Sequence, residues 1–253
     1  MLRFWLPVLC MLPPYCLTLL AGYLVYRRSA SGELARKIIH LTAVLISVSH
    51  FYVFSSPWQS YVAGTFFFIF LIVIRFTRPG FFLFRIKRKS LGDLLLLLGL
   101  GIPVLFGRRD VVISITTMLV LGISDSLAAL IGQTGKRLLL VYNHKTIRGS
   151  LAFLVSAFII LCCGTVVYHG GFTLNLLLIS GLTALGVTVV EAVSTRGIDN
   201  ILIPLCVFLL LKSGLQSHII FSLSLTGFLL LAVILAVVFV FIQHQRGGLD
   251  DQV

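Results

Sequence analysis

The stretch GISDSLAALIGQTGKRLLLVYNHKTIRGS, residues 122–150, carries the pattern that decides the fold of this chain. It begins inside an apolar run that holds one carboxylate, Asp125, and it ends where the next apolar run begins. The loop between the runs holds the basic side chains Lys136, Arg137, Lys145 and Arg148, together with His144. Two apolar runs joined by a basic loop are typical of membrane helices connected on the cytoplasmic side.

The composition of the whole chain indicates an integral membrane protein. Of its 253 residues, 58% are hydrophobic and only 11% are charged, and the mean hydropathy is +1.09, unlike a soluble domain. The net charge of +12 lies mostly in short loops, where it acts as a topology signal and does not indicate nucleic acid. The five cysteines lie in apolar runs, a placement that suggests neither a disulfide framework nor a zinc site.

Apolar runs of roughly 17 to 24 residues are long enough to cross a bilayer as helices. The chain is therefore predicted to be all-α, a polytopic bundle of about nine helices in a single membrane domain, residues 1–253. The runs lie at about 4–26, 38–54, 58–75, 91–106, 111–131, 150–168, 172–190, 198–211 and 219–242. The runs at 91–106 and 198–211 are short enough to be re-entrant or broken, so the predicted number ranges from seven to nine.

Basic residues predict the orientation of the bundle. They follow the first, third, fifth, seventh and ninth runs, and these loops all lie on one face. Because lysine and arginine concentrate in cytoplasmic loops, the N terminus is predicted outside and the C terminus in the cytoplasm. Arg108 and Arg109, after the fourth run, are the exception. Arg27 and Arg28 follow the first run where a signal peptide would have a cleavage site, so that run is interpreted as a span.

Acids near the basic face are candidate functional groups, since an ionised side chain in a span is costly. They are Glu33, Asp93, Asp125, Glu191 and Asp199. Asp125 lies about two helical turns inside the end of its run. Two interpretations of Asp125 stay open: a structural pair with an arginine of a neighbouring helix, or a metal ligand or catalytic base. The coordination chemistry of Mg²⁺ favours the interpretation as a metal ligand or catalytic base, because proteins bind this ion through one or two carboxylates together with substrate phosphates.

The loop after Asp125 contains groups that suit a polyphosphate. Glycines allow close approach of the backbone, basic side chains neutralise phosphate oxygens, and a helix start presents amide groups to an anion. The candidates are Gly132, Gly135, Lys136, Lys145, Arg148, Gly149 and Ser150. GQTGKR does not have the spacing of a Walker A loop. An ordinary basic cytoplasmic loop explains the charges equally well.

Two further segments place polar residues at the same face. In VVEAVSTRGIDNILIPL, residues 189–205, Glu191 ends one apolar run, and Asp199 and Asn200 open the next. Helix capping explains Asp199 or Asn200 but not Glu191.

In GELARKIIHL, residues 32–41, Glu33, Arg36, Lys37 and His40 share one helical face. Snorkelling to the membrane surface explains Arg36 and Lys37, and a buried, hydrogen-bonded histidine is one interpretation of His40. Asp93 suits the first turn of a helix.

Three blocks together resemble the polyprenol kinase family, which comprises dolichol kinase, phytol kinase and the CTP-dependent diacylglycerol kinase. ELARKIIHL is similar to the family's Arg-Lys-x-x-His block. SDSLAALIGQTGK and NHKTIRGSLAF resemble its Gly-Asp, Ala, Gly and Lys-Ser/Thr-x-x-Gly-Ser core, and VEAVSTRGIDNILIPL resembles its Glu, Asp-Asn and Pro block. The blocks place a catalytic core at about 32–211. Ser124 departs from the pattern, because the family usually has glycine before the acid.

The resemblance implies transfer of the terminal phosphoryl group of CTP to a membrane isoprenoid alcohol such as phytol, geranylgeraniol, dolichol or another polyprenol. It implies that Asp125 and Asp199 hold Mg²⁺, and that Glu191 or Asp125 accepts the hydroxyl proton. The residues implied to bind nucleotide are Gly132, Lys136, Lys145, Thr146, Arg148, Gly149 and Ser150, with Arg36, Lys37, His40 and Asn200 as further site residues.

Other functions remain as alternatives. A CTP-dependent diacylglycerol kinase and a phosphatidate cytidylyltransferase share parts of the core, but the latter's HGG and Asp-Arg-x-Asp signature is not matched by HGG at 169–171 and STRGIDN at 194–200. An ion-coupled transporter is the non-enzyme alternative. The expected partners are a lipid alcohol, a nucleoside triphosphate and the bilayer. Short loops and the absence of a glycosylation sequon favour a bacterial inner membrane over endoplasmic reticulum or plastid membranes.

Overall fold

A computed structural model describes residues 2–29, 31–75, 92–107, 110–134, 145–195 and 197–216, together with 225 and 227. Within these ranges the chain forms eight helices. They are α1 Leu2–Ser29, α2 Gly32–Val53, α3 Pro57–Arg75, α4 Gly92–Phe106, α5 Val111–Gly132, α6 Ile147–His169, α7 Leu174–Val193 and α8 Asp199–Gln216. For these residues, the prediction of an all-helical protein is confirmed.

The helices agree with the first eight predicted runs. Six of them, all except α3 and α4, are long and apolar enough to cross a membrane. The short apolar run at 198–211 extends to Gln216 in α8, so it is one of the six. The ninth predicted run, 219–242, and the basic-aromatic segment 81–90 lie outside the described residues. The orientation of the termini stays a prediction.

Two groups of buried apolar side chains hold the bundle together. The larger group lies among α2 and α4 to α8 and contains Leu121 and Phe153, which are fully buried. The smaller group joins α1, α2 and α3 and contains Val8 and Phe67. Many large apolar side chains of α1, α6 and α7 point outward instead. An apolar exterior is expected where lipid, not water, surrounds the helices.

α5 is not a regular helix along its whole length. A π-helical turn, Val120–Ser124, separates the α-helical segments Val111–Leu119 and Asp125–Gly132. Gly122 lies in this turn, and a Cβ atom there would come within 2.8 Å of the Val44 side chain in α2. The missing side chain therefore lets α2 pack directly against the π turn, and π turns are common at functional sites. Asp125 is the first residue after it.

The end of α5 also packs closely on the start of α6. Thr146 caps α6, because its hydroxyl accepts a hydrogen bond from the Gly149 amide at 3.1 Å and donates one to the Gly132 carbonyl at 3.1 Å. A Cβ atom at Gly149 would lie 2.8 Å from the Ala128 carbonyl oxygen. Small residues allow this kind of close approach between membrane helices.

Gly149→Ala is expected to lower the free energy of unfolding by about 1–3 kcal/mol, because the new methyl group overlaps a rigid backbone carbonyl. Unfolding by sodium dodecyl sulfate in mixed micelles measures this change. Gly64→Ala is the matched control, since nothing lies within 4 Å of a Cβ atom at Gly64 in α3. Equal stability of the two variants would contradict the close α5–α6 contact.

Candidate functional site

Two clusters of charged side chains lie at the end of the bundle where α2, α6 and α8 begin and where α5 and α7 end. The first cluster joins α2 to α5, and the second joins α6, α7 and α8. Residues from all three sequence blocks therefore meet at one end of the protein. Charged groups gathered at helix ends suit a site at a membrane surface.

Asp125 is the centre of the first cluster. It is buried, and its carboxylate pairs with the Lys37 ammonium, which also donates a hydrogen bond to the Asp125 carbonyl at 3.2 Å. His40 Nδ1 lies 3.7 Å from the same carboxylate oxygen. Because Lys37 and His40 lie one turn apart on α2, both face the start of the second segment of α5. The expected structural partner of Asp125 was an arginine, and the structure provides a lysine instead.

Lys37 is buried inside the protein. Only 3% of it is exposed, so snorkelling, which requires a charged head in water, is the wrong explanation for this residue. Removing either member of a buried ion pair leaves an uncompensated charge, which costs several kcal/mol. Lys37 is therefore tied to Asp125 energetically as well as geometrically.

Arg36, the neighbour of Lys37, has a different environment. Its guanidinium makes a two-point contact with Glu33 one turn earlier, with Nη2 at 2.6 Å from Oε1 and Nε at 3.2 Å from Oε2. Both side chains are partly exposed. This pair borders the first cluster on the side of the helix start.

Lys145 is the centre of the second cluster. Its ammonium lies 2.7 Å from Glu191 Oε1 and 3.2 Å from Asp199 Oδ2, and it also donates a hydrogen bond to the Glu191 carbonyl. Ser150 Oγ donates to the other oxygen of Glu191 at 3.1 Å. One lysine thus joins the end of α7 to the start of α8, beside the start of α6.

The charges of this cluster act on the protonation of Lys145. Burial by itself would lower the pKa of the ammonium, but the negative charges of Asp199 and Glu191 outweigh burial and raise the pKa above its usual value. The charge of Asp125 contributes in the same direction. The two clusters therefore lie within electrostatic range of each other, and Lys145 stays charged at physiological pH.

A short turn fixes the position of Asp199. Gly197 has φ of +91°, a left-handed conformation that favours glycine, and the turn leads directly into α8. The Asn200 side chain donates a hydrogen bond to the Gly92 carbonyl at 2.8 Å. The backbone amide of Asn200 donates to Asp199 Oδ1 at 3.1 Å. Asn200 thus ties the start of α8 to the start of α4, and its described contacts are structural.

The other predicted nucleotide-binding residues differ in what the structure shows. Thr146 and Gly149 take part in the cap of α6, and Gly132 packs against that cap. Arg148 is exposed and donates to the Thr134 carbonyl at 3.2 Å, so it lies beside the loop that follows α5. Lys136 and the side chain of Asp93 lie outside the described part of the chain.

Sequence reasoning did not single out the buried hydroxyls next to the acids, and it noted Ser124 only as a departure from the family pattern. The hydroxyls of Ser124, Ser126 and Ser194 are buried and have no hydrogen-bond partner among the described residues. Ser124 and Ser126 flank Asp125, and Ser194 follows Glu191 by three residues. Buried polar atoms normally find a partner. Small hydroxyl residues beside an acid in an apolar run were the signal in the sequence.

The acidic side chains of the two clusters can be compared with the ligands that a metal ion requires. Among the described residues, no group of three or more histidine, cysteine, aspartate or glutamate side chains could hold a metal by itself. Glu191 and Asp199 nevertheless offer two hard oxygen ligands that converge on one cation, the Lys145 ammonium. These residues fit an ion such as Mg²⁺, which takes one or two carboxylates and completes its shell with water and substrate phosphates.

Comparison with known proteins gives one informative relative. A phytol kinase from Synechocystis sp. is 30% identical to this chain over 195 residues, which cover 74% of this chain and 82% of that protein. No protein-family profile matches the chain, and no solved structure matches it.

Proposed function

Because this chain belongs to the polyprenol kinase family, we propose that it transfers the terminal phosphoryl group of CTP to the hydroxyl of a membrane isoprenoid alcohol. Phytol is the first candidate, since the relative is a phytol kinase. The observation that supports the proposal most is the contact of Lys145 with Glu191 and Asp199. It unites two of the three sequence blocks in one charged site, and the neighbouring Asp125–Lys37 pair adds the third.

The basic residues are proposed to hold the triphosphate. Phosphoryl transfer depends on alignment and on neutralising charge more than on covalent chemistry. Lys145 is a compact point charge within the site, and Arg148 presents an exposed planar fork beside Thr134. Gly132, Lys136 and Ser150 are proposed to contribute contacts around them. Thr146 and Gly149 would act by shaping the start of α6.

The carboxylates are proposed to hold Mg²⁺ together with the phosphates. Asp125 and Asp199 are the family-based candidates, and Glu191 joins them because it contacts the same lysine as Asp199. When bound, Mg²⁺ neutralises charge on the phosphate oxygens and favours their in-line alignment. The protein's part is to orient these carboxylates, through Ser150 for Glu191 and through the turn at Gly197 for Asp199.

The transfer itself needs a place for one proton. The alcohol oxygen forms a bond to the terminal phosphorus, the bond from that phosphorus to the bridging oxygen breaks, and CDP leaves. The hydroxyl proton passes to a carboxylate, for which Asp125 and Glu191 are the candidates. The isoprenoid tail would remain in lipid while the hydroxyl reaches the charged end of the bundle. We propose that this end lies in the cytoplasm, on the sequence pattern of basic loops. The short loops and the absence of a glycosylation sequon favour a bacterial inner membrane for the chain.

Purified protein in lipid vesicles is expected to convert γ-labelled CTP and phytol into labelled phytyl phosphate. A panel of alcohols, namely phytol, geranylgeraniol, dolichol and diacylglycerol, tests the acceptor, and labelled ATP tests the donor. Phosphorylation of the isoprenoid alcohols well above diacylglycerol supports the proposal.

Other products would point to the other functions. Labelled phosphatidic acid alone indicates a diacylglycerol kinase, and a CDP-lipid made from phosphatidic acid and CTP indicates a cytidylyltransferase. No labelled lipid, together with proton-coupled solute uptake into the same vesicles, would overturn the kinase proposal in favour of a transporter.

A further inference from the structure

The Lys145 ammonium lies in a small cage of oxygen atoms. Glu191 Oε1 at 2.7 Å, Asp199 Oδ2 at 3.2 Å and the Glu191 carbonyl all contact Nζ. Two carboxylates and a backbone carbonyl are the ligands that hard divalent cations prefer in proteins. A compact ammonium therefore sits where the available ligands also suit a metal ion.

The charge balance of this cage is uneven. Two carboxylates face one ammonium, so the cluster of Lys145, Glu191 and Asp199 carries a net charge of −1, from 1 − 2. The first cluster is balanced, since Asp125 pairs one-to-one with Lys37. A second positive charge would therefore stabilise the Lys145 cluster more than the Asp125 cluster.

The ligands in the cage are already oriented. Ser150 holds one oxygen of Glu191, and the Asn200 amide holds one oxygen of Asp199, which leaves the other two oxygens directed at Lys145. Preorganised oxygen ligands reduce the cost of binding an ion.

We propose that Lys145 occupies, in the nucleotide-free protein, the place of a divalent cation bound by Glu191 and Asp199. Binding of the metal with the nucleotide moves the ammonium from the carboxylates to a phosphate oxygen. Lys145 thereby positions the two carboxylates in the nucleotide-free protein and binds phosphate in the nucleotide-bound protein. The movement of Lys145 to a phosphate oxygen rests on the proposed kinase function. The metal-binding half, in which Glu191 and Asp199 bind a divalent cation, does not.

Mn²⁺ binding to the purified full-length chain in detergent, followed by electron paramagnetic resonance without nucleotide, tests the metal-binding half. Lys145→Met is expected to bind Mn²⁺ at least about tenfold more tightly than the wild type, because removing the ammonium leaves two carboxylates for the ion. Lys212→Met is the matched control, since Lys212 pairs at 3.6 Å with Asp110 at the other end of the bundle. It is expected to bind Mn²⁺ as the wild type does.

Two further variants make the result decisive. Lys145→Gln removes the same charge but keeps a hydrogen-bond donor, so it serves if Lys145→Met does not fold, and it is expected to change Mn²⁺ binding in the same direction. Adding Glu191→Gln to either variant is expected to return Mn²⁺ binding to the wild-type level.

Unchanged Mn²⁺ affinity in a folded Lys145 variant, or tight binding that persists with Glu191→Gln, overturns the proposal. The vesicle assay with wild-type protein is independent of this result, so a failure of the kinase function would be seen separately.

Discussion

Asp125→Asn is expected to lower turnover of the lipid alcohol by a factor on the order of 10³, the range for loss of a proton acceptor. The amide keeps the size of the side chain but cannot accept the hydroxyl proton. Initial rates in the vesicle assay, with phytol and labelled CTP, measure the loss. Turnover within about tenfold of the wild type would assign Asp125 to structure.

Folding has to be separated from chemistry in this variant. Asp125→Asn leaves the Lys37 charge buried without its carboxylate, which costs about 3–5 kcal/mol in comparable cases. The double variant with Lys37→Met removes both charges and is expected to recover stability but not turnover. Glu33→Gln, which breaks the partly exposed pair with Arg36, is expected to keep near-normal turnover.

Glu191→Gln is the second substitution with a large expected effect. It removes one of the two carboxylates at Lys145 while Asp199 continues to pair with that lysine, so the fold is expected to persist. Turnover is expected to fall by a factor on the order of 10², and the KM for CTP is expected to rise. The reason is that the Mg²⁺ ion proposed to bind with the triphosphate loses one negatively charged ligand.

Ser150→Ala separates the charge of Glu191 from its orientation. Among the described residues, the side-chain contact that this variant loses is the neutral-donor hydrogen bond of 3.1 Å to Glu191 Oε2, so its turnover is expected to stay within about tenfold of the wild type. Wild-type kinetics for Glu191→Gln, or an equal loss in both variants, would contradict a charge role for Glu191.

The helices were predictable because each apolar run carries its own signal. Transfer of apolar side chains to a bilayer is favourable residue by residue, and a run of sufficient length must be helical to satisfy its backbone. The first eight predicted runs accordingly correspond to the eight described helices. The errors lie at helix ends, where polar residues such as Glu33 and Lys212 belong to helices that apolarity alone does not delimit.

The pairing of the charged residues was not predictable in the same way. Lys37 and Asp125 are 88 positions apart, and no local pattern distinguishes a buried lysine from one at the surface. Their contact depends on the π turn at Val120–Ser124 and on Gly122, which lets α2 approach. A single irregular turn rotates every following side chain of α5. No pattern in the run of residues 111–131 predicts this turn.

The start of α6 is a second place where the sequence alone allows two interpretations. Thr146 and Gly149 fit both a phosphate-binding helix start and an ordinary cap, because both use amide groups of the first turn. The structure shows the cap, with Thr146 bound to the Gly149 amide. Lys145, one residue earlier, faces Glu191 and Asp199 instead. Neighbouring residues of one motif thus serve different purposes.

The sequence by itself determined that this chain is a helical membrane protein of the polyprenol kinase family with its acids and bases gathered near helix ends. Those properties follow from local hydropathy and from residue order. Only the tertiary structure decided that Asp125 is balanced by Lys37 and that Glu191 and Asp199 share Lys145. Which charges compensate one another depends on helix packing, because electrostatic energy depends on distances between atoms and not on separation along the chain.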